Sequence, residues 1–286
     1  MYDHDTVHSA RFVDTHVHIR ENNGLEAVIA AGVGAVRDAG TKKAASLALG
    51  RRGGQQGMPA IRSAGWALYK KGGYGSSLGV PVEGRDEMLT EIRKLKTAGA
   101  DLIKIVASGM VSLKTRGAIT PGGFTRQDLL VLVQAARSED LKVMAHANGE
   151  QAIIAAAESG VRSIEHGFFM TKKALDALAR HGTFWTPTVG ALARAANAAG
   201  MQTEMKDYVN SLIDTHLAML QYAQNMGVGL TIGTDCVLPD PHYQEAYDAE
   251  LAYFLKAGLT HEDVMKIACD SGARLLEIES KGSGGK

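Results

Sequence analysis

Six side chains that could bind metal ions or transfer protons fall at the ends of short apolar segments. They are His16, His18, Lys104, His146, His166 and Asp235. Imidazole nitrogens and carboxylate oxygens are the usual ligands of zinc and of other divalent transition metals. A carboxylate held beside such metals can also accept a proton during hydrolysis. The set of six therefore favours a metal-dependent hydrolytic site.

Two local patterns support this interpretation, although each has an ordinary alternative. His16 and His18 are two residues apart in an apolar run, so both imidazoles lie on one face of a strand and could bind one cation. They could equally form a hydrogen-bonded polar pair. Lys104 lies within the apolar run 102–106, where an ammonium is costly unless it is paired, modified or extended to solvent. Chance alone does not explain why all six residues fall at strand ends.

The elements that must position these residues alternate between strands and helices. The predicted strands cover 11–19, 34–39, 60–67, 102–107, 143–147, 161–166, 183–189 and 228–234. Helical spacing follows most of them, as in 85–98, 126–138, 150–159, 172–180 and 205–226, and 251–276 supplies closing helices. Eight such units predict an α/β fold, a (β/α)8 TIM barrel, whose strand ends share one mouth.

A doubly wound nucleotide-binding sheet is the structural alternative. Gly32-Val33-Gly34 suggests a dinucleotide loop, but these glycines follow a helix and precede a strand, and the third glycine is absent. A helix C-cap explains them better.

The composition of the chain indicates its domain organisation and the kinds of molecule that it binds. The chain has 286 residues, 45% hydrophobic and 22% charged, which predicts one barrel over 11–280 between tails at 1–10 and 281–286. Lys plus Arg equals Asp plus Glu at 31 each, so we expect a small-molecule substrate rather than nucleic acid or a membrane. Cys236 and Cys269 lack redox or zinc spacing, and 1–11 has no apolar core of a signal peptide, which predicts a cytoplasmic location.

Motifs around the six residues resemble those of the amidohydrolase superfamily. They are Thr15-His16-Val17-His18, Lys104, His146, Glu165-His166-Gly167 and Gly233-Thr234-Asp235. The segment Val36-Arg37-Asp38-Ala39-Gly40 is most similar to the branch of imidazolonepropionase-like and Xaa-Pro dipeptidase-like enzymes.

The resemblance implies a binuclear metal centre. Lys104 would be carboxylated by carbon dioxide and would bridge two divalent metals, usually zinc. His16, His18 and Asp235 would bind one metal, and His146 and His166 the other, with a hydroxide between them. Asp235 would accept and return the proton.

The chain departs from this family pattern in two ways. Few residues flank the barrel, so we expect most or all of the family's small β-sandwich to be lacking, and a homo-oligomer is one way to cover the exposed surface. Tyr74 stands where many dipeptidase-like relatives have a histidine. Tyr74 and His242, in the loop after the eighth strand, are the candidate substrate contacts.

We therefore predict hydrolysis of an amide or peptide bond, in a dipeptide or an N-acyl amino acid. Loop cations could bind the substrate carboxylate; the candidates are Lys70, Lys71, Lys114 and Arg116. The same site could cleave a lactone, carbamate or phosphotriester. A metal-binding scaffold without activity is a more distant alternative.

Overall fold

The computed structural model describes residues 12–21, 24–50, 57–197 and 201–278, and parallel strands inside a layer of helices form its centre. The strands are β1 (Phe12–Ile19), β2 (Val33–Asp38), β3 (Ala60–Ser63), β4 (Ala67–Lys70), β5 (Gly79–Val82), β6 (Leu102–Val106), β7 (Lys142–Ala147), β8 (Ser163–His166), β9 (Phe184–Thr186) and β10 (Cys236–Leu238). The helices are α1 (Glu26–Ala30), α2 (Ser46–Gly50), α3 (Gly84–Ala98), α4 (Arg126–Ser138), α5 (Glu150–Glu158), α6 (Lys172–His181), α7 (Val189–Ala196), α8 (Thr203–Asn225), α9 (Tyr243–Lys256), α10 (His261–Lys266) and α11 (Gly272–Leu276), with a π-helical turn at Ile267–Ser271 between the last two. The predicted tails at 1–10 and 281–286 lie outside the described residues.

The strands follow one another in chain order, except that β5 pairs with β4 at the edge of its group. One group pairs as β10, β1, β2 and β3, and the other as β5, β4, β6, β7, β8 and β9, all in parallel. The two groups meet where the amide of Asp101, just before β6, donates to the carbonyl of Ser63 in β3 over 2.8 Å. A strand that is buried on both faces has a nearly continuous run of apolar residues in its sequence. Strand β6 is an example, since all five of its residues are buried.

The segment 228–234 closes the ring between β9 and β1, although it lacks the regular pairing of a strand. On one side, the Trp185 amide donates to the Gly229 carbonyl over 2.8 Å. On the other side, the Thr15 amide donates to the Ile232 carbonyl over 2.8 Å. The prediction of a (β/α)8 barrel is therefore confirmed, with an eighth strand that is irregular where it approaches the site.

Apart from 228–234, two predicted strands depart from the structure by three residues or more. The run 60–67 is interrupted at Gly65, whose φ of +68° turns the chain between β3 and β4. The run 183–189 ends at Thr186, because Pro187 breaks the ladder and Thr188 adopts a left-handed φ of +49°. The prediction of strand at Val189 was wrong, since Val189 is the first residue of helix α7.

Local sequence signals explain the ends of the outer helices. Helix α4 begins at Thr125, where the Thr125 hydroxyl accepts from the Asp128 amide and the Asp128 carboxylate accepts from the Thr125 amide. Helix α3 ends at Gly99, which has a left-handed φ of +92°. The predicted closing helices begin earlier than expected, at Tyr243, because α9 is one continuous helix.

The strands within the described ranges all belong to the barrel or extend its edge, so this part of the chain contains no separate β-sandwich. In the same ranges, no helix combines the length and the apolar character needed to cross a membrane.

Candidate metal centre

The barrel brings the six candidate residues to one end of its strands. His16 and His18 lie in β1, Lys104 in β6 and His146 in β7; His166 ends β8, and Asp235 follows the irregular eighth strand. The four imidazoles and Lys104 are buried, and the Asp235 side chain is 24% exposed. Five of the six, all but His16, line the same cavity.

The Asp235 carboxylate lies at the centre of the cluster. Its Oδ1 atom is 3.3 Å from Nε2 of His16 and 3.2 Å from Nε2 of His18. Its Oδ2 atom is 3.9 Å from Nδ1 of His166. One donor atom from each of His16, His166 and Asp235 lies within 4.8 Å of the others, which is a spacing that one divalent metal could bridge.

His146 and Lys104 extend the cluster across the barrel. The ring centroids of His146 and His166 are 4.6 Å apart, and those of His16 and His166 are 5.0 Å apart. Lys104 is 1% exposed, and within the described ranges its amine forms no hydrogen bond or ion pair. Burial lowers the pKa of Lys104 to about 8, although Glu165 and Asp235 oppose this effect. The lowered pKa increases the fraction of Lys104 that is neutral near pH 7.

Each candidate imidazole has one nitrogen held by a neighbouring group. The partners are the Gly40 carbonyl for His18 Nδ1 at 2.7 Å, Glu165 for His16 Nδ1 at 2.8 Å, Thr188 Oγ1 for His166 Nδ1 at 2.7 Å and the Gly109 carbonyl for His146 Nε2 at 3.1 Å. A carbonyl or carboxylate can only accept, so the held nitrogen carries the proton in His16 and His18. The second nitrogen then keeps its lone pair, as a metal ligand requires. The second nitrogen of His16 is buried and makes no hydrogen bond.

The protonation states of the cluster also suit metal binding. Burial, and then the charge of Lys104, lower the pKa of His16 and of His146 to about 4. Burial raises the pKa of Asp235, but the neighbouring histidines, His16 first, outweigh it and hold that pKa well below its usual value. Neutral imidazoles and an ionised carboxylate are the forms that bind metals.

A buried ion pair supports the cluster from inside the barrel. Nη2 of Arg37 donates to Oε1 of Glu165 over 2.9 Å, while Oε2 of the same carboxylate accepts from His16. Ser163 also donates to Glu165, over 2.5 Å. Glu165 therefore links the charge of Arg37 to the orientation of His16, which gives a physical reason for the Glu165-His166 motif.

Sequence reasoning missed Asp14, which holds Thr234, the residue before Asp235, against strand β1. Asp14 is buried and accepts from the amides of His16 and Thr234 at 3.0 and 3.1 Å. It also accepts from the hydroxyls of Thr234 at 2.7 Å and Tyr243 at 3.0 Å. Burial outweighs these bonds and raises the pKa of Asp14 to about 6. Its place two residues before His16, on the same face of the strand, was the available signal.

The backbone is strained where the strands end in the site. His166, Asp235 and Thr188 have φ values of +63°, +54° and +49°, in the left-handed region that non-glycine residues avoid. Such conformations persist where surrounding contacts enforce them, and they cluster at functional sites. Here they turn the side chains at the strand ends towards one another.

The two candidate substrate contacts lie in different surroundings. Tyr74 lines the cavity, with its ring centroid 5.6 Å from that of His146, and burial raises its pKa. The side chain of His242 is 80% exposed and lies 3.6 Å from Glu245. The structure does not bring His242 to the cavity, so its role as a substrate contact stays a prediction.

Several known proteins are similar to this chain. Ochratoxinase of Aspergillus niger is 29% identical over 155 residues, which are 54% of this chain and 32% of ochratoxinase. The chain thus matches about a third of the length of that relative. A prolidase crystallised with N-methylphosphonate-L-proline is 26% identical, with a TM-score of 0.78 over 95% of this chain and 75% of the prolidase. A Xaa-Pro dipeptidase with bound methionine, 24% identical, gives a TM-score of 0.78 over 96% and 78% of the two chains.

The sequence also matches a family model that spans nearly all of it. The model describes the Amidohydrolase family and covers residues 9–283. That range includes the barrel and all six residues of the candidate metal centre. The chain therefore belongs to the amidohydrolase family.

Proposed function

We propose that this protein is a metal-dependent hydrolase that cleaves an amide bond. The observation that carries the proposal is the set of four buried imidazoles around Asp235, each with one nitrogen held and the other available. This donor set fits divalent metals that prefer nitrogen and oxygen ligands, such as zinc. Membership of the amidohydrolase family and likeness to a prolidase and to ochratoxinase support the same activity.

We propose two metal positions, with zinc as the metal. His16, His18 and Asp235 would hold one metal, and His146 and His166 the other. Lys104 would join them after its neutral amine attacks carbon dioxide, forms a nitrogen–carbon bond and releases a proton. The lowered pKa of Lys104, about 8, and the absence of a hydrogen bond or ion pair to its amine among the described residues support this carboxylation.

The side chains of the chain have distinct roles in this proposal. Bound divalent metals lower the pKa of water towards neutrality and polarise a substrate carbonyl. Asp235, which is ionised, accepts the proton of the attacking water and returns it to the leaving nitrogen. Tyr74 lines the cavity beside His146, and its hydroxyl makes no hydrogen bond within the described ranges, so it is free to donate to the substrate carbonyl. The hydroxyl of water ends on the acyl carbon and the proton on the amine.

The finer predictions from the sequence fit within this proposal. A dipeptide and an N-acyl amino acid both contain the bond to be cleaved. A cytoplasmic location, a single unit over 11–280 and a homo-oligomer stay predictions.

The test is hydrolysis of a panel of amides, esters and phosphotriesters by zinc-loaded protein. We expect amide turnover in the wild type and a loss of about 10²- to 10⁴-fold in Asp235→Asn, because the proton acceptor is removed. Chelator-treated wild type is the control and should be inactive. Metal-loaded wild type that cleaves no compound would contradict the proposal and favour a metal-binding scaffold. Cleavage of esters alone would show that the protein hydrolyses ester bonds and not amide bonds.

A further inference from the structure

The cavity above the candidate metal centre has a volume of about 210 Å³, and its upper walls are apolar. Helix α7 forms one wall with Ala191, Leu192 and Ala195. The loop after β6 contributes part of the opposite wall, through residues 110, 111 and 113.

Charged groups are confined to the floor of this cavity. Among the described residues that line it, every ionisable side chain except Tyr74 belongs to the candidate metal centre. The one other polar side chain, Asn148, donates to the Gly109 carbonyl over 3.2 Å and accepts from the Phe168 amide over 3.0 Å. A charged substituent in the upper cavity would therefore lose water without gaining a partner among the described lining residues.

The loop cations that the sequence suggested for a carboxylate are engaged elsewhere or lie outside the lining. Lys70 pairs with Asp128 at 3.0 Å, and Lys71 with Glu83 at 3.2 Å. Arg116 donates to the Glu204 carbonyl over 2.8 Å. Lys114 is exposed and does not line the described cavity.

The mouth of the cavity also exposes an apolar side chain, on a backbone that is held by two hydrogen bonds. Within the described ranges, the exposed large apolar side chains are Ile29 and Met110, at 43% and 40%, and Met110 lines the cavity. The Met110 amide donates to Thr120 Oγ1 over 2.9 Å, and its carbonyl accepts from the Thr120 amide over 2.8 Å. Met110 thus extends the apolar lining of the cavity to its mouth, as in sites that bind apolar ligands.

Hydrogen bonds from neighbouring elements also hold the wall that helix α7 forms. Glu250 of α9 is buried and accepts from the amides of Val189 and Gly190 over 2.9 and 2.7 Å, at the first turn of α7. Arg194 of α7 donates to the Thr234 carbonyl over 2.6 Å, beside Asp235. The apolar wall is thus fixed relative to the metal centre.

We propose that the substrate is an amide with a neutral apolar acyl group that binds between Met110 and helix α7, and that it has no free carboxylate. This inference rests on the proposed amide hydrolysis and narrows its substrate class to amides without the free carboxylate that a dipeptide or an N-acyl amino acid carries. The substrate takes up one water, whose hydroxyl joins the acyl carbon and whose proton joins the released amine.

Four compounds separate the two features of this substrate. They are N-hexanoylglycinamide, N-hexanoylglycine and the two N-acetyl analogues, assayed with zinc-loaded protein by release of primary amine. We expect kcat/KM to be about tenfold or more higher for hexanoyl than for acetyl compounds, because the longer chain buries more apolar surface. We expect a similar preference for the glycinamide over the glycine compound, because the upper cavity offers the carboxylate no cation among the described residues that line it. Equal rates, or a preference for the carboxylates, would overturn the inference.

A matched pair of variants tests the position of the apolar group. Met110→Arg adds a guanidinium at the mouth, and it should raise the ratio of kcat/KM for N-hexanoylglycine to that for N-hexanoylglycinamide by about tenfold. Ile29→Arg makes the same change at an equally exposed position outside the cavity lining, and it should leave this ratio unchanged. The same ratio in both variants would contradict the assigned position.

Binding separates this inference from the proposed function. If zinc-loaded protein cleaves none of the four compounds, they become stable ligands for isothermal titration calorimetry. Tighter binding of N-hexanoylglycinamide than of the other three would then support the apolar, neutral site even though amide hydrolysis had failed. Absent binding, or tighter binding of the carboxylates, would reject it.

Discussion

Replacing Glu165 by glutamine tests the link between the ion pair inside the barrel and the candidate metal centre. Glu165 is fully buried and accepts from Arg37 over 2.9 Å and from His16 over 2.8 Å. The amide of Glu165→Gln keeps the shape but removes the charge. Arg37, which is 3% exposed, would then be left as a buried cation without a counterion.

Two arguments give similar values for the stability that Glu165→Gln should lose. Breaking a buried ion pair by removing one partner costs about 3–5 kcal/mol. Burial raises the pKa of Glu165, but Arg37 and then His16 outweigh it and lower that pKa from 4.5 to about 2. This lowering of the pKa, by 4.5 − 2 units, corresponds to a free energy of about 3 kcal/mol that favours the ionised Glu165 carboxylate in the folded protein. Because the folded-state pKa is depressed, this stabilisation is present above about pH 4.5 and is lost as the pH falls towards 2.

The assay is urea unfolding of metal-free protein at pH 7.5, followed by a zinc titration. Glu165→Gln should lower the free energy of unfolding by about 3 kcal/mol. It should also weaken zinc binding by about 10- to 100-fold, because His16 loses the carboxylate that orients it. Glu158→Gln is the control, since Glu158 pairs with Arg126 at 3.2 Å on the surface and should cost less than about 1 kcal/mol. Equal losses of stability in the two variants, with unchanged zinc affinity, would refute this reasoning.

Two further changes test groups around the cavity. Tyr74→Phe should lower kcat/KM for the amide substrate by about tenfold, the worth of one hydrogen bond to the carbonyl, with the melting temperature unchanged; unchanged kcat/KM would remove Tyr74 from the reaction. Burial raises the pKa of Glu250 from 4.5 to about 7, against the amide bonds that it accepts, so the wild type loses stability as the pH rises through this range and Glu250→Gln does not. Urea titrations at pH 4.5 and pH 8 would measure the free energy of unfolding of both proteins. The value for Glu250→Gln minus that for the wild type should be about 3 kcal/mol larger at pH 8 than at pH 4.5. A difference that does not change with pH would contradict the raised pKa of Glu250.

The barrel and the grouping of the six residues followed from local patterns. Each strand is a short apolar run, and the parallel topology brings the ends of all strands to one mouth. The two-residue spacing of His16 and His18 fixed their common face, and the structure places both Nε2 atoms close to the same oxygen of Asp235.

The sequence could not supply the contacts made across the barrel. Asp14 joins β1 to Thr234 over 220 positions of sequence separation, and Arg37 reaches Glu165 over 128. Single-sequence periodicity carries no information on such pairs. Helix α7 was missed because its apolar run continues that of β9, and only the turn at Thr188 separates them. The apolar walls of the cavity depend on such tertiary contacts, so the sequence did not reveal them. The loop cations therefore suggested a carboxylate site, although in the structure none of these cations lines the described cavity.

Metal content measured by plasma mass spectrometry tests the central claim most directly. Wild type, Lys104→Ala and Lys71→Ala would be purified without chelator and with zinc and bicarbonate present. Lys71 is an exposed lysine paired with Glu83, so its removal controls for the loss of one positive charge. We expect about two equivalents of zinc in the wild type and in Lys71→Ala, and less than about one in Lys104→Ala. Wild-type protein without bound metal, or Lys104→Ala that retains both equivalents, would contradict a binuclear centre bridged by Lys104.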